Sequence, residues 1–195
     1  MRKLLIGLNL LVLSMVPIQA RADAPLDTIK SRVNQLLVVL RDPALKGESA
    51  KELKKKKLWP IFDKTFDYIE LSRSTLSRNW DKLNPDQRDE FTKLYKALLE
   101  KVYMDTILSY KDQQVVFGRE RGLGQNRVEV ESKLISGSNE IPIHFRMISK
   151  EGGWWVYDVV IENISLVANY RSQFGRILTK ESPQGMIEAL RKKVS

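Results

Sequence analysis

Ile141-Pro142-Ile143-His144-Phe145-Arg146-Met147-Ile148-Ser149-Lys150-Glu151-Gly152-Gly153-Trp154-Trp155-Val156-Tyr157-Asp158-Val159-Val160-Ile161 is the stretch whose periodicity decides the fold. Ile141, Ile143, Phe145 and Met147 share one side of an extended chain, opposite His144 and Arg146, which is the period-two alternation of a strand. Lys150-Glu151-Gly152-Gly153 has the composition of a hairpin turn. The run from Trp154 to Ile161 is apolar on both faces apart from Asp158, so both sides should be covered. Upstream, Gln113–Phe117 and Asn126–Ile135 read as two more strands, and Ser136-Gly137-Ser138-Asn139 turns the chain toward the third. A meander of about four antiparallel strands is the economical reading.

Outside this block the apolar spacing is helical. Leu26, Ile29, Val33, Leu36, Leu37 and Leu40 form one stripe from about Pro25 to Arg41, and Asp42-Pro43 stops it. A second helix covers Glu48 to Leu58 and ends in Lys54-Lys55-Lys56-Lys57; Trp59-Pro60 is expected to break it. Phe62, Phe66, Ile69, Leu76 and Trp80 mark a third segment with irregular ends. Asn84-Pro85-Asp86-Gln87 carries the chemistry of a capping box and should open a helix running to about Ser109, roughly 35–40 Å long. Leu166, Val167, Tyr170, Phe174, Ile177 and Leu178 give a further helix, and Ser182-Pro183 opens a short terminal one. The expected class is α+β: N-terminal helices and one long helix packed on a curved antiparallel sheet, with closing C-terminal helices.

The chain has 195 residues, 43% of them hydrophobic, which suits a single domain with a sizeable core. Arg2 and Lys3, the apolar run Leu4 to Val16, and the small-x-small site Ala20-Arg21-Ala22 read as a cleavable signal peptide over residues 1–22, too short in its apolar part to span a bilayer. Residues 23–195 are then the exported domain. Removing Arg2, Lys3 and Arg21 lowers the net charge from +9 to +6, which suits anionic surfaces or acidic partners rather than nucleic acid in that compartment.

Chemistry is sparse. There is no cysteine, and His144 is the single histidine, so no metal site with transition-metal ligand spacing can be composed. No Gly-x-Ser-x-Gly elbow occurs, and Gly122-Leu123-Gly124 lacks the third glycine of a dinucleotide loop. No catalytic residue, metal or cofactor is expected. Asp158 is the exception worth weighing. It reads either as the acid of a small cone-fold enzyme or as a carboxylate held by backbone amides or an arginine such as Arg171; the second is preferred, because perturbed acids also occur in structural networks.

The run Trp155-Val156-Tyr157-Asp158-Val159-Val160-Ile161-Glu162-Asn163-Ile164-Ser165-Leu166-Val167-Ala168-Asn169-Tyr170-Arg171-Ser172-Gln173-Phe174 resembles the signature of the MlaC family, the toluene-tolerance ABC transporter auxiliary proteins. Pro60-Ile61-Phe62-Asp63, Gln87-Arg88-x-x-Phe91, Tyr103 with Tyr110, and Ile141-Pro142-Ile143 look like the family too. Asn163 stands where the family has glycine; asparagine tolerates a left-handed turn better than most residues. Ser77 likewise replaces a frequent glycine.

The resemblance implies an NTF2-like cone with acyl tails inside. It implies a monomeric periplasmic carrier of diacyl phospholipid between an outer-membrane lipoprotein–porin complex and the substrate-binding subunit of an inner-membrane ABC transporter, with transient membrane contact, maintaining outer-membrane lipid asymmetry. A hopanoid or another lipid, a ligand-free envelope adaptor, and an enzyme using Asp158 are the rival readings. Exposing a sixteen-carbon tail costs on the order of 13 kcal/mol, so a carrier must hide its tails almost fully. Phe91, Leu98, Tyr103, Phe145, Trp155, Val159, Val167, Tyr170 and Phe174 are the candidates to line such a pocket, each equally open to being ordinary core. Head groups would sit at the mouth near an arginine or lysine; Arg171 is the named candidate, for a head-group or a structural role. The Lys54–Lys57 run is a candidate docking or membrane patch, or simply a solvated face.

Overall fold

The computed structural model describes residues 24–195; the expected signal peptide lies outside the described residues. The elements are α1 (Pro25–Arg41), α2 (Lys51–Thr65), α3 (Tyr68–Leu76), α4 (Pro85–Leu108), β1 (Gln114–Gly122), β2 (Arg127–Ser136), β3 (Asn139–Lys150), β4 (Gly153–Ile161), β5 (Ile164–Ser165), α5 (Leu166–Leu178) and α6 (Pro183–Val194). The strands pair antiparallel in chain order, and the fifth is a two-residue addition to the expected meander. Glu162 and Asn163 make its tight turn, with φ of 49° and 66°. Two consecutive left-handed residues are what a two-residue hairpin needs, and this explains why asparagine serves where glycine is usual. Bulges between Phe117 and Glu120 and between Arg146 and Met147 add local twist to the sheet.

Trp59-Pro60 does not break the chain: α2 runs through it to Thr65. Proline removes the bond to the carbonyl four residues back, here that of Lys56. Both residues are exposed, so water can serve that carbonyl and the helix survives. The real break comes at Phe66-Asp67. Phe66 pairs with Val156 of β4 as an isolated parallel bridge, and the Asp67 N–H donates to the Val156 carbonyl at 2.9 Å. The Asp67 carboxylate then caps α3 by accepting from the Glu70 N–H at 2.8 Å. At the start of α4 the capping box is complete, with Asn84 Oδ1 accepting from the Gln87 N–H at 2.8 Å and Gln87 Oε1 from the Asn84 N–H at 3.1 Å. Such a cap contributes about 1 kcal/mol.

The long helix α4 divides into two halves with different neighbours. Its first half packs on α3, α5 and α6, where Phe91, Tyr95, Tyr170 and Phe174 meet with ring centroids 5.1–5.9 Å apart. The buried Tyr95 hydroxyl is satisfied by Thr75 Oγ1 at 3.3 Å. Beyond Leu98 the helix faces the sheet across open space. On the other side α1 lies directly on the strands, with Ile29 and Val33 against Val130, Met147 and Val156. Leu58 and Phe62 of α2 meet Met104 of α4, joining the two helical groups.

The register separates charge from apolar surface. Arg121, Glu129, Arg146 and Asp158 are successive partners across β1 to β4. Arg121 Nη2 donates to Glu129 at 2.6 Å, Arg146 Nε to the other Glu129 oxygen at 2.8 Å, and Arg146 Nη1 to Asp158 at 3.1 Å. The adjacent row, Val130, Phe145 and Val159, faces the opposite way. A one-residue slip would exchange these rows, so the pattern specifies its own register.

Burial pushes the Glu129 carboxyl up, but Arg121 and Arg146 outweigh it and hold the group below its ordinary value. A carboxyl with a depressed folded-state pKa stabilises the fold above its unfolded pKa, and that contribution is lost as pH falls through the folded value. The melting temperature should therefore begin to drop from about pH 4.5 downward. In Glu129→Gln the acid limb of this profile should be shallower, from a lower neutral plateau; an unchanged acid slope would show that Glu129 is not the sensitive group.

Candidate functional site

Between the second half of α4, the helices α1 and α2 and the face of the sheet, a cavity of about 440 Å³ opens. Leu36, Leu37 and Leu40 of α1 and Trp59, Phe62 and Phe66 from α2 and its end form one wall. Leu99, Tyr103, Met104 and Ile107 come from α4; Val115, Leu134, Ile143, Phe145, Val159 and Ile161 supply the sheet face. Most of these apolar side chains are only half-buried although they point inward. Close-packed cores do not leave leucines and phenylalanines bordering empty space, so the wall is surface kept free for an occupant.

Polar groups gather at its margins. At one end Tyr110 and Gln113 line the cavity, and the Tyr110 hydroxyl donates to the Gln113 carbonyl. Arg41, at the end of α1, donates to the same hydroxyl at 2.6 Å and to the Gln113 carbonyl at 3.2 Å, its guanidinium 5.6 Å from the Tyr110 ring centroid. Toward α2 and α3, Glu100 is the one carboxylate in the lining among the described residues. Burial raises its pKa, and Lys96 Nζ at 3.9 Å acts against that shift. Lys96 itself sits 4.9 Å from the Tyr68 ring centroid.

Of the nine expected lining residues, Tyr103, Phe145 and Val159 border the cavity. Phe91, Leu98, Val167, Tyr170 and Phe174 are buried together in the α3–α4–α5–α6 core instead. Trp155 is half-buried on β4, paired with Ile148, outside both groups. Burial pushes the Tyr170 hydroxyl up to about 12, aided by neighbouring Tyr103. Arg171 lies away from the cavity: its Nη2 and Nε donate to the Ser74 carbonyl at 2.6 and 3.2 Å, tying α5 to α3. The walls from α1 and α2 were legible only as helical stripes. Ile143 shares the Phe145 strand face and carried the same signal.

Asp158 is 1% exposed, and its oxygens are occupied. They accept from Ser165 Oγ at 2.6 Å, the Val167 N–H at 3.0 Å and Arg146. The partner arginine is thus Arg146, its cross-strand neighbour, and not Arg171. His144 Nδ1 lies 3.8 Å from Glu129 on the same charged face. Among the described residues no group of three or more His, Asp or Glu side chains is placed to hold a metal ion. The lysine run is largely tied down locally: Lys54 donates to the Leu40 carbonyl, Lys55 pairs with Glu52 at 2.8 Å, and Lys57 lies 3.6 Å from Asp42. No described helix is long and apolar enough to cross a membrane.

An α+β shell around an open apolar cavity, with the charged cross-strand row turned to the other face of the sheet, has the form of a binding protein for an apolar ligand. The family profile described as "MlaC protein" matches residues 30–192, and the chain belongs to that family. It is 25% identical over 125 residues to the intermembrane phospholipid transport system binding protein MlaC of Haemophilus influenzae, an alignment covering 62% of this chain and 58% of that one. The fold matches that of a phospholipid-binding protein from Ralstonia solanacearum, solved in complex with a phospholipid, at a TM-score of 0.80 and 21% identity, over 88% of this chain and 97% of the other.

Proposed function

We propose that this protein is a periplasmic phospholipid carrier that shuttles lipid between an outer-membrane lipoprotein–porin complex and the substrate-binding subunit of an inner-membrane ABC transporter, and so maintains outer-membrane asymmetry. The observation that carries this reading is the apolar cavity with half-buried walls. Its volume of about 440 Å³ lies within the ordinary range for small-molecule sites, roughly 300–1,000 Å³. The relatives' names, which speak of phospholipid binding and transport, support it.

Tyr103, Phe145 and Val159 are assigned to the acyl chains. The head group is assigned to the Tyr110–Gln113 end, where Arg41 supplies the charge. Arg171 is assigned a structural role. The catalytic reading of Asp158 is disfavoured because its oxygens already serve α5 and Arg146, on the sheet face away from the cavity.

Native mass spectrometry of the exported protein, followed by extraction of what it holds, tests the proposal. Stoichiometric diacyl phospholipid is the expected result. A hopanoid would keep the fold and change the pathway. A bare protein that fails to load from phospholipid vesicles would overturn the carrier reading.

A further inference from the structure

A second concavity, of about 540 Å³, lies where the end of α3 and the turn after it meet α5, the start of α4 and the start of β2. Five arginines line it, Arg73, Arg78, Arg88, Arg127 and Arg171, against two carboxylates, Glu70 and Asp81. It shares no lining residue with the apolar cavity. Glu70, 2% exposed, is saturated: Arg127 Nη2 donates to it at 2.8 Å and Arg73 Nε at 3.1 Å, with Lys150 Nζ at 3.5 Å. Among the described residues Asp81 meets only Arg88, at 3.8 Å. Arg171 is held by a neutral carbonyl. Arg78 is exposed, with no hydrogen bond or ion pair to the described residues, and the buried Nε of Arg127 has no partner there. The groove therefore keeps excess positive charge, and the exposed Arg78 keeps its donors free of the described residues.

We infer that this groove is a docking site for the acidic surface of a protein partner. Guanidinium forks match carboxylates bidentately, and arginine with tryptophan is the usual currency of protein interfaces. Here the Arg88 guanidinium is held 5.4 Å from the ring centroid of Trp80, which is itself buried in the helical core and anchors it. A membrane is the less fitting occupant: the groove is recessed, and none of the exposed large hydrophobic residues (Val38, Leu53, Ile69, Val102, Val116, Ile164) lies in it. Ser77 forms its rim with φ 53° and ψ −130°, a conformation that favours glycine. Strain of this kind persists where the surroundings hold it and clusters at functional surfaces. Because the groove and the cavity are separate, a partner can be engaged while the cavity is filled. The inference rests on the carrier reading only insofar as a carrier must hand its cargo to other proteins.

Arg78→Glu and the double variant Arg73→Glu with Arg78→Glu test this. The readout is binding of the lipid-loaded protein to envelope membrane vesicles that retain their proteins, compared with liposomes of the lipids extracted from them. The expected result is binding to the protein-bearing vesicles that falls at least tenfold in the variants and weakens with salt in the unmodified protein, with unchanged lipid load and unchanged circular dichroism. Equal binding to the protein-free liposomes would make the groove a membrane site and overturn the inference, as would variants that bind like the unmodified protein. Lipid load, read on the same samples by mass spectrometry, reports separately on the carrier reading.

Discussion

On the carrier reading, Val159→Asp should abolish loading with diacyl lipid while leaving the protein folded. Val159 sits mid-strand on the cavity face, paired with Phe145, and is half-buried because it borders open space. An aspartate there can stay hydrated when the cavity is empty, so the fold survives. A tail entering the cavity must strip that water from the charge or keep clear of it. Forfeiting contact with about three methylenes costs about 2.4 kcal/mol, roughly a fiftyfold loss of affinity before any desolvation of the charge is added. Leu36→Trp is the companion variant: it fills the same space from α1 without adding charge, and should also lower occupancy. Native mass spectrometry gives the occupancy, and thermal melting shows whether the shell is intact. Full lipid load in both variants would remove this cavity as the binding site.

Asp158→Ala should produce the largest loss of stability among single changes in the sheet. Removing the carboxylate leaves the Val167 N–H, the Ser165 hydroxyl and one side of Arg146 without their acceptor in a nearly solvent-free site. Breaking one partner of a buried charged network costs about 3–5 kcal/mol. For a chain of this length that is a fall in melting temperature of roughly 6–20 °C. Asp158→Asn keeps the shape and an acceptor for the Val167 N–H, and should lose about half as much. Both variants should still carry lipid below their melting points, since the group lies off the cavity. A melting temperature unchanged in Asp158→Ala would show that the network contributes nothing net.

How far the chain was legible in advance depended on whether a feature was local. The β3–β4 hairpin was readable because alternation and turn residues sit within twenty positions, and the α4 cap because four adjacent residues carry it. Pro60 misled because proline's cost depends on whether its orphaned carbonyl is wet, which is a tertiary property. The cavity was hidden for a related reason. Phe91, Leu98 and Tyr103 lie on one apolar stripe of α4, yet α5 and α6 cover the first two and leave the third facing a gap. Nothing in the stripe distinguishes covered from uncovered. Asp158's true partner was readable in principle, since Arg146 is its register neighbour across the β3–β4 hairpin; Arg171, named instead, lies on the helix that follows.

The cross-strand row of Arg121, Glu129, Arg146 and Asp158 has one more consequence. A vessel that empties itself must resist caving in, and apolar walls facing each other across a void have every reason to do so. Here the stiffening is built into the back of the sheet, by bonds among residues that take no part in lining the cavity. On the proposed carrier reading, an unladen protein would keep its shape without first having to rebuild it.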